Sequence, residues 1–187
     1  MGRKAKTQRF FVAVYPPPQI TSWLQESVSD LAVPAHRMVS AEQVHLTVHF
    51  IGDIPASSRE SVIESVERSV AGLSSFELTV FRMISLPAQA QLPKRVIAAE
   101  TSLDSTLQEI KRRLVRSSAR AYRRDPVDRF VPHLTLLRFT PSASEVDLNL
   151  EIRARSFEVK EICLMRSELK ASGAVHHKIA SAGLGEP

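Results

Sequence analysis

A four-residue phrase occurs twice, and the spacing of its copies constrains the fold more than any other feature of the chain. His45-Leu46-Thr47-Val48 and His133-Leu134-Thr135-Leu136 lie 88 residues apart in a chain of 187. The elements around them repeat as well. An apolar run opens at Phe10, a helical pattern follows, and His45 stands 35 residues after Phe10. A second run opens at Val96, a helical pattern follows, and His133 stands 37 residues after Val96. A unit of about 90 residues is too long for a solenoid, whose repeats run about 20–50 residues. It predicts an α+β chain: one domain over 1–187, with two lobes related by a pseudo-twofold axis, covering roughly 10–86 and 95–180. Each lobe carries an antiparallel-dominated sheet facing a central groove, with helices outside.

The periodicities supply the elements. Phe10 to Tyr15 is short, apolar and rich in β formers, which predicts an interior strand stopped by Pro16-Pro17-Pro18. Ile20, Trp23, Leu24, Val28 and Leu31 recur at helical spacing. Val44 to Ile51 reads as a strand ended by Gly52. Ser57 and Glu60 have the spacing of a capping box, opening a helix whose apolar face is Val62, Ile63, Val66, Val70 and Leu73. Phe76 to Leu86 and Val96 to Glu100 read as strands, and Leu103, Leu107, Ile110 and Leu114 mark a third helix. Phe130 to Phe139, Phe157 to Met165 and Val175 to Ala180 complete the set of strands.

Side chains two apart on a strand share a face. His45 therefore stands beside Thr47 while Leu46 and Val48 enter the core, and His133 stands beside Thr135 in the same way. Across a twofold axis the two pairs face each other over the groove. Imidazole titrates near neutrality, so two of them can hold opposite protonation states at once, one accepting a proton and one donating. Hydroxyls beside them can donate to oxygens where charge builds up. This set matches what in-line displacement at phosphorus needs, and with it no metal or cofactor is required. A zinc site is the competing reading, but zinc takes three or four ligands and no third ligand stands at convincing spacing.

Composition excludes other classes. Apolar residues make up 43% and charged residues 24% of the chain, which argues against global disorder. The single cysteine, Cys163, rules out an internal disulfide and a Cys-rich metal site and points to a reducing compartment. Its expected place is the core. No segment approaches the roughly 18–20 apolar residues of a membrane span. The apolar run after Arg9 is also shorter than the roughly 7–15 residues of a signal-peptide core. The expected location is the cytoplasm, with no membrane partner and a monomeric state. The net charge of +5 suits a polyanionic partner.

The chain resembles the 2H phosphoesterase superfamily, and within it the RNA 2′,3′-cyclic phosphodiesterases, also called 2′-5′ RNA ligase-like proteins. The resemblance spans nearly the whole chain. Arg9 to Val14 is similar to the opening strand, and Val44-His45-Leu46-Thr47-Val48-His49-Phe50-Ile51-Gly52 to the first motif. Pro132-His133-Leu134-Thr135-Leu136-Leu137-Arg138 is similar to the second motif, and Arg166-Ser167-Glu168-Leu169 with Gly173 to the closing segment. A tyrosine usual in the family after that glycine is replaced by His176. The resemblance implies hydrolysis of an RNA-terminal 2′,3′-cyclic phosphate to a 2′-phosphomonoester. His133 is then the base for water and His45 the acid for the leaving ribose oxygen, while Thr47, Thr135 and Arg138 bind the phosphate. Partners are RNA ends or nucleoside cyclic phosphates. Rival readings are another cyclic phosphate, reversible 2′-5′ ligation, and a non-catalytic RNA-binding module.

Several residues have more than one reading. Arg138 lies five positions after His133, on the opposite face by strict alternation, unless a bulge intervenes. His49 shares the parity of His45. His176 and His177 are neighbours in a strand and so point to opposite faces. Phe10 and Phe11 read as core, with stacking on a base as the other use. Lys111, Arg112, Arg113, Arg116, Arg120, Arg123 and Arg124 form a basic face on the third helix, either solvated or a track for an RNA backbone. Lys94 and Arg95 share that ambiguity.

Overall fold

The computed structural model describes residues 7–89, 91–118, 130–140, 146–170 and 173–186. In chain order the elements are β1 (Thr7–Val14), α1 (Pro18–Ser29), β2 (His36–Met38), β3 (Leu46–Pro55), α2 (Arg59–Val70), β4 (Phe76–Leu86), β5 (Val96–Thr101), α3 (Ser105–Ser118), β6 (His133–Phe139), β7 (Asn149–Val159), β8 (Glu161–Lys170) and β9 (Gly173–Gly183). Among the described residues the strands form one nine-stranded sheet in the order β7-β4-β5-β6-β3-β1-β8-β9, with the short β2 on β6. The ladders between these strands are antiparallel, and the chain is an α+β protein.

The sheet has a seam. β3 and β6 pair at one position, Leu46 with Leu134, the residues after the two motif histidines. Outward from the seam the order mirrors itself: β3-β1-β8-β9 on one side and β6-β5-β4-β7 on the other. The repeated strand–helix–strand units, β1-α1-β3 and β5-α3-β6, therefore flank the seam as equivalents. The outer strands cross over. β4, from the first half of the chain, pairs with β5, whereas β8, from the second half, pairs with β1. One half-sheet thus contains β8 and β9 from the second half of the chain and the other contains β4 from the first, which ties the halves together.

The helices lie on one face. Leu24 and Val28 of α1, Val66 and Val70 of α2, and Leu107, Ile110 and Leu114 of α3 join Leu46, Val48, Leu134 and Leu136 in one core. α1 opens at Pro18, where a missing N–H costs nothing. α3 is capped by Asp104, whose Oδ1 accepts from the backbone N–H of Thr106 (2.7 Å) and Leu107 (3.3 Å). The other face carries a small cluster of Phe11, Ala13, Cys163 and Met165, so the cysteine is core as expected.

Four expectations need correction. The capping box does not form: α2 has no side-chain cap, because the turn Ala56–Ser58 already gives the Arg59 N–H a backbone acceptor at Ala56. Gly52 does not end β3. It takes φ +91° at a bulge, where Phe10 pairs with Gly52 and Phe11 with Phe50, and the strand runs on to Pro55. Phe157 to Met165 is two strands, since the chain reverses at Lys160 between β7 and β8. Leu103 precedes α3 and is exposed.

Candidate active site

Each motif histidine is held by the same backbone device. His45, just before β3, donates from Nδ1 to the carbonyl of Gln43 at 2.6 Å. His133, the first residue of β6, donates from Nδ1 to the carbonyl of Val131 at 2.8 Å. A carbonyl can only accept, so the proton sits on Nδ1. In the neutral ring Nε2 is then a lone pair, able to take a proton and, once protonated, to give one back.

A groove of about 520 Å³ contains both histidines with Thr47, Thr135 and Arg138. The structure therefore brings all five candidate residues together. Arg138 reaches it through a bulge. Ala98 pairs with Thr135 but Ile97 with Leu137, leaving Leu136 as the extra residue. Leu136 and Leu137 are both buried, and Arg138 emerges on the face of His133. β3 carries the equivalent bulge at Val48, since Ala13 pairs with Thr47 and Val12 with His49. That bulge overturns the parity reading of His49, which is buried, and brings out Phe50, 63% exposed, onto the groove. Phe50 and Arg138 each stand five residues after a motif histidine. Sequence reasoning missed Phe50, although the shared offset was the available signal.

Electrostatics separate the two imidazoles. Burial pushes His45 down to about 4; the Gln43 carbonyl opposes this, and His176, Arg138 and His133 lower it further. Burial also lowers His133. There the Val131 carbonyl opposes, Arg138 adds to the lowering, and Glu100 pulls the other way. Glu100 is the cross-strand partner of His133 and is itself held by Arg82 at 2.8 Å. His45 has no such carboxylate among the groups that shift it. Its neighbours are the rings of His176, Phe11 and Tyr15 at 5.0, 5.1 and 5.5 Å. Burial pushes the Tyr15 hydroxyl up to about 12, so that phenol stays neutral.

The basic candidates divide. Arg95 lines the groove, as does Arg9, whose guanidinium forks onto Asp53 at 3.1 and 2.7 Å. Lys94 is turned to the Pro87 carbonyl (3.1 Å) and Asp147 (3.4 Å). Lys111 leaves the basic face altogether. It is buried, donates to the carbonyl of the bulge residue Val48 at 3.2 Å and lies over the Phe130 ring at 4.3 Å. Arg112, Arg113 and Arg116 stay on that face. With Arg68, Ser65, Ser69 and Ser117 they line a cleft of about 450 Å³ between α2 and α3. Arg120, Arg123 and Arg124 fall outside the described residues. Among the described residues, no three His, Cys, Asp or Glu side chains gather as a metal-binding group, and no helix is long and apolar enough to cross a membrane.

Comparisons with known proteins agree with this layout. The sequence model of the 2′-5′ RNA ligase superfamily matches residues 16–171. A search of curated proteins returned no match. TT0787 of Thermus thermophilus is similar over 95% of this chain and 98% of its own, with a TM-score of 0.79 and 22% identity. E. coli LigT complexed with 3′-AMP is similar over 96% of this chain and 99% of its own, with a TM-score of 0.79 and 24% identity. LigT complexed with ATP gives 97% and 100%, a TM-score of 0.79 and 22% identity. At these identities the likeness is one of fold.

Proposed function

Because the chain belongs to the 2′-5′ RNA ligase superfamily, we propose that it is a phosphodiesterase that opens an RNA-terminal 2′,3′-cyclic phosphate to a 2′-phosphomonoester. The observation that carries this reading is the matched pair of imidazoles. Both are fixed through Nδ1 by a carbonyl two residues back, and both line one groove with two threonines and an arginine. LigT is known in complexes with ATP and with 3′-AMP, which supports a substrate bearing a nucleotide.

In the reaction, water attacks phosphorus and the bond to the ribose 3′ oxygen breaks. One imidazole accepts the water proton on Nε2, and the other delivers a proton to the departing oxygen. Arg138 and the hydroxyls of Thr47 and Thr135 donate to the non-bridging oxygens, which gain charge in the transition state. The base is His133 and the acid His45. Glu100 raises the proton affinity of His133, which suits a group that must take a proton. The low proton affinity of His45 makes it a strong acid once it has taken a proton from solvent, an uptake that the neighbouring phosphate anion favours. Every proton in this scheme is moved by a side chain of the groove, so the scheme calls on no metal or cofactor. The same ring opening with an RNA 5′-hydroxyl in place of water forms a 2′-5′ linkage, the ligation in the superfamily's name.

The test is incubation with a synthetic oligonucleotide ending in a 2′,3′-cyclic phosphate, with EDTA present. A 2′-phosphate product formed at the same rate with and without chelator is expected. A 3′-phosphate product, or loss of turnover in EDTA, would overturn the reading.

A further inference from the structure

The groove holds a third imidazole that the acid–base pair leaves unused. His176 of β9 lines it, edge to face with His45 at 5.0 Å and 4.8 Å from the Phe11 ring. Its neighbour His177 instead stands 3.4 Å from Glu168. The Nδ1 atom of His176 is sealed from solvent and meets no hydrogen-bond partner among the described residues. A proton placed there would be a buried N–H without an acceptor, so the neutral ring carries its proton on Nε2. This is the reverse of His45 and His133, whose carbonyl partners hold the proton on Nδ1. Burial, then the charges of Arg138 and His177, favour the neutral ring. The neutral ring of His176, which lines the groove, thus carries an N–H donor at Nε2 where the motif histidines carry lone pairs.

We propose that His176 is a phosphate-recognition residue: its Nε2–H donates to a non-bridging oxygen of the phosphate held between His45 and Arg138. The proposal rests on the reading of the groove as a phosphate site. It assigns His176 to affinity and not to proton transfer. The competing role is packing, since the ring also braces His45 and Phe11.

Two substitutions separate these roles. His176→Gln keeps an N–H donor near the Nε2 position but removes the aromatic ring. His176→Phe keeps a ring but removes the donor. The measurement is calorimetric binding of adenosine 2′-monophosphate and of inorganic phosphate, which needs no turnover, with kcat and KM on a nucleoside 2′,3′-cyclic phosphate alongside. His176→Phe should weaken both ligands about 10–100-fold, the loss expected for one hydrogen bond to a charged group, and raise KM more than it lowers kcat. His176→Gln should recover most of that affinity. Wild-type affinity in the Phe variant with weak binding in the Gln variant would make the ring a packing element and overturn the proposal. So would two variants that both bind as wild type, or a wild-type protein that binds neither ligand. A wild-type protein that binds the monophosphate but leaves the cyclic phosphate intact would overturn the proposed reaction while leaving this assignment standing.

Discussion

The two half-sites share a backbone and differ in their chemistry. Each histidine gives its Nδ1 proton to the carbonyl two residues earlier, each is followed by a residue of the seam, and each strand bulges three residues on. Five residues after the histidine the halves part, with Phe50 on one side and Arg138 on the other. Tyr15, just after β1, has its ring 5.5 Å from His45, whereas Glu100 of β5 is the cross-strand partner of His133. The common backbone places two equivalent imidazoles; the differing neighbours make them inequivalent. A symmetric site would give two bases of equal strength and no preferred direction for the proton. Arg138 lowers both rings, whereas Glu100 acts on His133 and not on His45, which sets the two apart.

The largest expected effect comes from removing either imidazole. His45→Ala and His133→Ala should each cost about 10²–10⁴-fold in kcat on a 2′,3′-cyclic phosphate. The leaving group then tells them apart. A p-nitrophenyl phosphodiester expels its phenolate without needing a proton. His45→Ala should therefore lose much less on that ester than on the cyclic phosphate, while His133→Ala should lose similarly on both. The opposite pattern would exchange the roles, and full activity in either variant would end two-histidine catalysis.

The groups around the phosphate come next. Arg138→Met, Thr47→Ala and Thr135→Ala each remove one donor to developing charge, with an expected loss of about 10–10³-fold in kcat. Phe50→Ala should instead raise KM for a nucleotide substrate with kcat nearly unchanged, because an exposed ring can stack on a base but cannot stabilise charge. Steady-state kinetics on the four variants checks the contrast, and a fall in kcat for Phe50→Ala would contradict it.

A smaller effect tests the carboxylate. Both motif imidazoles sit below the ordinary histidine value of about 6.5 in the free groove. The productive form needs one protonated and one neutral ring, so kcat/KM, which reports the free enzyme, should be bell-shaped with both limbs below about 6.5. The falling limb belongs to the group with the higher value. Glu100 raises His133, so Glu100→Gln should lower that group and move the falling limb to more acid pH. NMR titration of the His133 ring should show the same shift, with His45 little changed. An unchanged profile would mean that Arg82 already neutralises the carboxylate.

How much of this was legible before folding depends on whether a residue's role is local. The two phrases, the strand at Phe76 to Leu86 and the apolar faces of the helices were legible because strand and helix periods are written in neighbouring residues. The crossing of β4 and β8 was not, because pairing partners far apart in sequence leave no local mark. The bulges at Val48 and Leu136 arise from the register against β1 and β5, so the placements of His49, Phe50 and Arg138 could not follow from alternation alone. The reversal at Lys160 carries none of the Gly, Pro or Asn that announce a turn. Lys111 looks like part of a solvated face until its ammonium is seen beneath the first motif's bulge.

The smallest expected effect concerns the far side of the sheet. In sequence, the basic face of α3 reads first as a solvated face, with a track for RNA as the other reading. The structure adds Arg68 and Ser65 from α2, turning a stripe on one helix into a cleft between two. Arg113 is engaged there, donating to the Ala71 carbonyl at 2.7 Å, and Glu109 holds Arg112. Arg68 and Arg116 are therefore the charges to reverse. Each phosphate neutralised on a single strand contributes about −0.7 to the slope of log affinity against log salt. Arg68→Glu/Arg116→Glu should flatten the slope for an oligonucleotide by about one phosphate's worth or more. Turnover of a mononucleoside 2′,3′-cyclic phosphate should not change, because the cleft lies across the sheet from the groove. Fluorescence anisotropy over a salt series, with the small-substrate rate measured beside it, decides the matter. Equal losses on both substrates would indicate damage to the α2–α3 packing, and an unchanged slope would leave the cleft as solvated surface, with the RNA chain contacting the groove side alone.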